Sequence, residues 1–154
     1  MKMKIQNRNL PLLLSQMREI IISHFRPILN YFGLTEQQWR ILRELASKEK
    51  MEPREICQSC QILSPSMAGI LKRLEEMDVL FRETVPGDKR RVSISLTAKG
   101  QKLIAEMAPL VQQQYELLEE AYGQDLIIQL YQALDAFMLQ KDTVVKRIEL
   151  PVSN

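Results

Sequence analysis

Three consecutive cations follow a turn signal in this sequence: Lys89, Arg90 and Arg91. The turn is Pro86-Gly87-Asp88, in which proline presets φ, glycine accepts a positive φ and aspartate bonds its own backbone. From Val92 to Leu96 apolar and polar residues alternate, which is the period of a half-buried strand, and the β-prone stretch 79–85 is its predicted partner. The pattern predicts a two-stranded ribbon with the cations at its tip. Such a tip is either a solvated turn or a contact for a polyanion, and the surrounding sequence decides between them.

Charge is distributed unevenly around this ribbon, although the net charge of the chain is only +2. Residues 81–102 contain six cations and two acids, whereas residues 103–140 contain six acids and no lysine or arginine. The first segment suits a polyanion such as nucleic acid, and the second would be repelled by one. The two segments are therefore expected to have different functions.

The composition is that of a folded protein, with 45% hydrophobic and 26% charged residues in a chain of 154. Such a chain can bury a core and is expected to form one structural unit. No apolar run has the length of a membrane span, and the N-terminal residues lack the apolar core of a signal peptide. We therefore expect a cytoplasmic protein without a membrane partner.

Residue types that carry metal or catalytic chemistry are sparse. Cys57 and Cys60 form a single C-x-x-C, and the only histidine, His24, lies far upstream, so a four-ligand zinc site is not predicted. The favoured interpretation of the cysteines is two small residues in a short helix, with redox sensing as the alternative. The sequence has no glycine-rich phosphate loop, nucleophile motif or paired-carboxylate motif, so neither an enzyme nor a bound cofactor is expected.

Local signals predict a mainly α-helical chain with the element order α-α-α-α-β-β-α-α. Apolar residues at helical spacing predict a first helix over 10–32, kinked at Pro27. Thr35 opens a second helix through a capping box with Gln38, and this helix ends near Lys48.

Four further helices and the hairpin complete the chain. A short helix is predicted over 53–59, and Ser64 is the predicted N-cap of the helix that follows it. After the hairpin, Thr97 caps a long helix that is bent near Pro109. The last helix is predicted over 124–141.

Two short helices followed by a hairpin form a winged helix-turn-helix, in which the second helix fits the major groove of DNA. A basic ribbon beside that helix can follow the DNA backbone or enter the minor groove, so the cations of the hairpin tip are interpreted as a DNA-binding wing. The apolar face of the second helix packs in the core, and only the opposite face can touch DNA. The candidate contacts on that face are Ser64, Ser66, Lys72 and Arg73, with Ala68 and Gly69 allowing close approach.

The acidic, apolar-rich helices after residue 102 cannot face phosphate. Together with the first helix they are predicted to form a dimerisation bundle, the alternative being a core within one chain. The predicted organisation is an N-terminal dimerisation helix (1–34), a winged helix-turn-helix (35–102) and C-terminal dimerisation helices (103–154), in one structural unit. Two-fold pairing matches the two half-sites of a double-stranded, pseudo-palindromic operator.

The stretch DKRRVSISLT (88–97) resembles the D-x-R wing signature, followed by L-T, of the MarR family of transcription regulators. The resemblance covers nearly the whole chain, from about residue 10 to residue 141. Within the family, three stretches are most similar to the members that repress homoprotocatechuate degradation: FRPI (25–28), GLTEQQWRIL (33–42) and SPSMAGIL (64–71).

This resemblance implies a homodimeric repressor that a small aromatic carboxylic acid, such as 4-hydroxyphenylacetate or homoprotocatechuate, releases from its operator. The acid would lie between the DNA-binding lobe and the dimerisation helices. The family pattern places Arg90 in the minor groove and implies that Asp88 braces the wing through nearby arginines. Ser64 departs from the pattern, because similar repressors have an arginine there, so the contact of that arginine is missing or replaced.

A site for an aromatic acid needs a cation, a hydrogen-bonding group and an aromatic wall in an apolar pocket. The candidates on the first two predicted helices are Ser15, Arg18, His24, Trp39 and Arg40. Ser15 and Arg18 can share a helix face, whereas an interfacial histidine and a core tryptophan are the alternative interpretations of His24 and Trp39.

Two other functions stay open. One is a regulator of the same family that senses oxidants or other phenolics such as hydroxycinnamates, and the other is an architectural DNA-binding protein without a ligand.

Overall fold

The computed structural model describes residues 7–151 and consists mainly of α-helices. The elements of this described range follow one another as α1 (Leu10–Ser23), α2 (Arg26–Tyr31), α3 (Glu36–Lys48), β1 (Lys50–Met51), α4 (Pro53–Cys60), α5 (Ser64–Glu76), β2 (Leu80–Val85), β3 (Asp88–Leu96), α6 (Ala98–Tyr122) and α7 (Gln124–Met138). The predicted mainly helical fold with a winged helix-turn-helix is confirmed. None of the helices in the described range is long and apolar enough to cross a bilayer.

The chain divides into two compact units, Met1–Gln114 and Tyr115–Asn154. The first contains α1 to β3 and the greater part of α6, and the second contains α7. The organisation into parts 1–34, 35–102 and 103–154 stays a prediction. Its outer bounds include residues 1–6 and 152–154, which lie outside the described residues.

The single helix predicted over 10–32 is two helices. The break falls at His24 and Phe25 rather than at a kink in Pro27, which lies in the first turn of α2. A proline there costs no helical hydrogen bond, because the first N–H groups of a helix have no partner within it. The two helices also differ in burial, since α2 buries Leu29 and α1 buries no residue.

Helix α3 begins with the predicted capping box. The Thr35 hydroxyl oxygen accepts a hydrogen bond from the Gln38 backbone N–H at 3.2 Å, and the Gln38 amide oxygen accepts from the Thr35 N–H at 2.9 Å. Helix α3 contacts α4, α5 and β3. Its buried apolar side chains are Trp39, Ile41, Leu42 and Leu45. The position of α3 therefore sets the positions of the elements that carry the candidate DNA contacts.

The three strands form an antiparallel sheet in the order β1-β3-β2, so β3 is the central strand. Ile94 is fully buried, as the predicted alternation requires, but Ser95 is buried as well, with 6% of its surface exposed. The predicted half-buried pattern is wrong at Ser95, because this residue of the central strand is flanked by Lys50 on β1 and by Phe81 on β2. Strand β1 was not predicted, because a strand of two residues is too short to show alternation in the sequence.

Two predicted helix ends also differ from the structure. The N-cap of α5 is Leu63, so Ser64 is the first helical residue and makes no capping hydrogen bond. The last helix ends at Met138 rather than Lys141. Thr97, by contrast, caps α6 as predicted, because its hydroxyl oxygen accepts from the Gly100 N–H at 3.0 Å.

Gly100 is expected to tolerate no side chain. A Cβ at this position would overlap the Val79 carbonyl oxygen and lie 3.3 Å from Leu96 Cδ2. Gly100→Ala should therefore lower the free energy of unfolding, measured by urea titration, by about 1–3 kcal/mol. Gly69→Ala is the matched control, since beyond its own turn of helix no atom of the described residues lies within 4 Å of its Cβ position; it should raise the same free energy by about 0.5–1 kcal/mol. Equal stability of Gly100→Ala and the unsubstituted protein would contradict this account of the α6 start.

Candidate nucleic-acid interface

The three cations of the hairpin lie in a bulge of β3. Strands β2 and β3 pair in one register from Leu80 opposite Leu96 to Thr84 opposite Val92, and then the register shifts so that Val85 lies opposite Asp88. The residues left between these pairs on β3 are Lys89, Arg90 and Arg91, all exposed. Because a bulge redirects the side chains of the extra residues, the cations stand apart from the regular faces of the sheet. We call residues 80–96 the wing.

The turn at the tip of the wing is stabilised by the backbone conformation of Gly87 and by a hydrogen bond to the Asp88 side chain. Gly87 has a φ of 86°, which a residue with a side chain adopts with difficulty. Asp88 Oδ1 accepts a hydrogen bond from the Arg90 backbone N–H at 3.0 Å. The aspartate thus braces the turn through the backbone of Arg90.

The three cations are not equivalent. Arg91 donates from Nε to Glu52 Oε1 at 3.0 Å and from Nη2 to the same oxygen. This hydrogen bond lowers the pKa of the Glu52 carboxyl and raises the pKa of the Arg91 guanidinium. In the part of the chain that the structure describes, the side chains of Lys89 and Arg90 have no such partner. These two cations are free to meet an anion, whereas Arg91 is engaged.

Two further ion pairs attach the wing to its neighbours. Arg82 Nε on β2 lies 2.5 Å from Glu75 Oε1 on α5. Lys50 Nζ on β1 lies 2.8 Å from Glu83 Oε2 on β2. Glu52, Glu75 and Glu83 were not among the predicted site residues. Glu52 and Arg91 are 39 positions apart and Lys50 and Glu83 are 33 apart, so no local pattern in the sequence indicates these pairs.

Helix α5 presents its predicted contacts to solvent. Its buried side chains are Met67, Leu71 and Leu74, and its exposed residues include Ser64, Ser66, Lys72 and Arg73. Lys72 Nζ lies 3.8 Å from Glu76 Oε1 on the same helix. Beside it, Gly69 is open to solvent, so the backbone can approach another surface closely there.

A small cleft of about 240 Å³ separates α5 from the start of α3. It is lined by Thr35, Gln37, Gln38, Ser66, Gly69, Ile70 and Arg73. The start of α3 is therefore part of the same surface as the exposed face of α5, which the sequence analysis did not predict.

The candidate ligand residues are only partly brought together. Ser15 and Arg18 line one cleft of about 550 Å³ on α1, as their spacing predicted. His24, Trp39 and Arg40 are not among the residues that line it. Trp39 is 8% exposed and belongs to the core, and His24 is the C-cap of α1.

Glu36 links the two candidate arginines. Arg18 Nη2 bonds to Glu36 Oε1, and Arg40 Nε lies 3.9 Å from the same oxygen. Arg40 also donates from Nη1 to the Cys60 carbonyl oxygen at 2.6 Å, which ties it to the end of α4. An anion that binds Arg18 would have to compete with Glu36, a residue that the sequence analysis did not consider.

Both cysteines are free thiols on α4. Cys60 is buried, and burial raises the pKa of its thiol, which disfavours the reactive thiolate. Cys57 is half-buried, and its Sγ lies 3.9 Å from Ser64 Oγ at the start of α5. In the described residues, no group of three or more His, Cys, Asp or Glu side chains could hold a metal ion.

The sequence and the structure are similar to known regulators. A model of the MarR family matches residues 32–91, which run from the end of α2 to the bulge of the wing. The HTH-type transcriptional regulator FarR of Neisseria gonorrhoeae is 39% identical over 115 residues, which cover 75% of this chain and 79% of FarR. The homoprotocatechuate degradative operon repressor of Escherichia coli is 36% identical over 130 residues, or 84% of this chain and 88% of the repressor.

A solved structure resembles this one over most of its length. The crystal structure of NadR in complex with 4-hydroxyphenylacetate superposes with a TM-score of 0.75 at 36% sequence identity. The match covers 89% of this chain and 97% of NadR.

Proposed function

The chain belongs to the MarR family of transcriptional regulators, and we propose that it is a homodimeric repressor released from a pseudo-palindromic operator by a small aromatic acid. The observation that carries the proposal is the wing, in which Lys89 and Arg90 project from a bulge without a partner among the described residues. Because DNA is its target, we place the protein in the cytoplasm.

The wing and α5 supply two kinds of DNA contact. The exposed, small residues at the start of α5 let that helix lie deep in the major groove, where base edges can be distinguished. Arg90 suits the minor groove, whose negative potential attracts a guanidinium, and Lys89 suits a phosphate. We propose Ser64, Ser66, Lys72 and Arg73 as contacts of α5 and Asp88 as the brace of the wing.

The proposed dimer rests on apolar surface that nothing in the described chain covers. Helices α1 and α7 each have no buried residue. Their exposed apolar side chains include Leu10, Leu12, Leu14 and Ile20 on α1, and Leu126, Ile128, Tyr131 and Phe137 on α7. Exposed apolar surface of this extent is typical of a contact between proteins. A second copy of the chain is the partner that a two-fold symmetric operator requires.

The proposed effector is a phenylacetate-type acid. Two observations support this class: the E. coli relative is named for homoprotocatechuate degradation, and the NadR structure contains 4-hydroxyphenylacetate. Arg18 is the proposed partner of the carboxylate, because a guanidinium binds a carboxylate bidentately, and Ser15 lies in the same cleft. His24, Trp39 and Arg40 do not line this cleft, and their predicted role in ligand binding stays a prediction. The ligand would release DNA to the extent that it binds the DNA-incompetent state more tightly.

Arg90→Ala is expected to weaken DNA binding by about 1–3 kcal/mol, the loss typical of one specific groove contact. The measurement is fluorescence anisotropy at physiological salt, with a duplex selected by the protein from a random library. Arg26→Ala is the matched control, because its guanidinium lies on α2 and is paired with Glu19; its affinity should not change. Unchanged affinity of Arg90→Ala would reject the assignment of this arginine.

The protein is expected to sediment as a dimer at micromolar concentration. Leu126→Glu, at a side chain that is 55% exposed on α7, should shift the equilibrium towards monomer, since a buried charge at an interface is costly. Gln132→Glu on the same helix adds the same charge at another exposed position and serves as the control. A stable monomer of the unsubstituted protein would contradict the proposed dimer.

Arg18→Ala should leave DNA affinity nearly intact and abolish the response to 4-hydroxyphenylacetate. Calorimetry measures ligand binding, and a coupling of about 1–3 kcal/mol between ligand and DNA is expected for the unsubstituted protein. Glu36→Gln tests the competition directly, because it removes the charge that engages Arg18 and should strengthen ligand binding. If hydroxylated aromatic acids bind equally well to Arg18→Ala, the pocket lies elsewhere; if none binds the unsubstituted protein, the proposed effector class is wrong.

A further inference from the structure

We infer that Arg91 is a positioning residue of the wing: held by Glu52, it fixes the bulge so that Lys89 and Arg90 can meet DNA, and it does not itself bind phosphate. The inference rests on the proposed DNA binding through the wing. It separates three cations that are adjacent in the sequence into two that contact DNA and one that holds them in place.

Glu52 is a fixed anchor rather than a mobile surface acid. It is the N-cap of α4. Its backbone N–H donates a hydrogen bond to the Glu55 carboxylate at 2.7 Å, which fixes the backbone that carries the Glu52 side chain. A carboxylate in this position is also favoured by the positive end of the helix dipole. The partner of Arg91 therefore has a defined place at the first turn of the helix-turn-helix.

The bulge is the part of the wing that most needs such an anchor. Its three residues have no opposite residue on β2, so the ladder of the hairpin does not order them. The bond from the Arg90 N–H to Asp88 ties the bulge to its own turn. The pair of Arg91 with Glu52 ties it to α4, and with it to the helix-turn-helix.

The geometry is unfavourable for a phosphate contact by Arg91. To reach DNA, its guanidinium would have to leave Glu52, and an acid without its partner would then face a polyanion. An exposed pair contributes little to global stability. It can still reduce the loss of entropy on binding, because the bulge is ordered before DNA arrives. The expected effect of the pair is therefore on DNA affinity and on the order of the bulge, with little change in unfolding.

A double-mutant cycle on DNA affinity tests the inference, with Arg91→Ala, Glu52→Gln and the double variant measured on the selected duplex. Arg91→Ala should weaken binding about two- to tenfold, as expected for the ordering of one long side chain and its loop. The slope of affinity against salt should stay unchanged. Lys89→Ala is the matched control, and its slope should fall by about one, as for a lost phosphate contact.

The change in DNA affinity caused by Glu52→Gln distinguishes a positioning role of Arg91 from a direct contact with DNA. Removal of a negative charge near DNA strengthens binding through long-range electrostatics, whichever residue stands at position 91. The double-mutant cycle cancels this contribution, because the effect of Glu52→Gln is measured both with Arg91 and with alanine at position 91. If Arg91 positions the bulge, Glu52→Gln is less favourable for binding with Arg91 present than with alanine at 91. The opposite sign, together with a salt slope that falls by about one in Arg91→Ala, would overturn the inference and make Arg91 a direct contact.

Amide hydrogen exchange of the free protein provides a test without DNA. Exchange of the Arg90 N–H, which is bonded to Asp88, should be faster in Arg91→Ala and in Glu52→Gln and unchanged in Lys89→Ala. The midpoint of unfolding should equal that of the unsubstituted protein in all three variants. Unchanged exchange in both variants would overturn the inference. Failure of the unsubstituted protein to bind any duplex would contradict the proposed function, and faster exchange would then still support the anchoring of the bulge by Arg91.

Discussion

The burial of β3 at its C-terminal end is the constraint on which the rest of the winged helix-turn-helix depends. Ile94 is fully buried at the centre of the sheet, and β3 contacts both α3 and α4. Immediately after β3, Thr97 caps α6, and Gly100 packs directly under the Val79 carbonyl. The end of the strand therefore has almost no freedom to shift, because close-packed interiors resist even small displacements. A rigid root is what allows the two-stranded wing to hold its tip in a defined position.

Charge is organised along the length of the wing. Ion pairs join the wing to its neighbours: Lys50 with Glu83 and Arg82 with Glu75 in the regular part of the sheet, and Arg91 with Glu52 at the bulge. At the tip, Lys89 and Arg90 have none in the described chain. The neutralised root lowers the net charge close to the core, and the unpaired tip concentrates positive potential where the proposed DNA contact needs it. The bulge is the structural device that separates the two, since it removes the cations from the regular ladder.

Helices α1 and α7 differ from the helix-turn-helix in the burial of their apolar side chains. Both expose apolar side chains and carry no buried residue, whereas α3, α4 and α5 each bury apolar side chains. The helix-turn-helix thus buries apolar side chains within the described chain, whereas α1 and α7 leave theirs exposed, which is typical of a contact between proteins. Arg18 on α1 is bonded to Glu36 at the start of α3, and Arg40 reaches the end of α4. A ligand that perturbed this chain of contacts would act on the elements that present the helix-turn-helix, which is the physical basis of the coupling we propose.

The elements with strong local signals were predictable from the sequence. The capping box of α3, the turn at Gly87 and the apolar spacing of α5 each depend on residues within a few positions of one another, so the helix-turn-helix and the basic hairpin follow from the sequence alone, whereas strand β1 and the division of the first helix into α1 and α2 do not. The break at His24 and the N-cap at Leu63 also differ from the prediction. The burial of Ser95 was not predicted, because it lies between two strands, one of which, β1, is distant from it in the sequence. The same holds for the site: the sequence determined that three cations lie at the tip of a ribbon beside a helix-turn-helix. Only the tertiary structure decided that Arg91 is bonded to Glu52 and Arg18 to Glu36, because an ion pair requires proximity in space, and the chain achieves that proximity only when distant segments fold together.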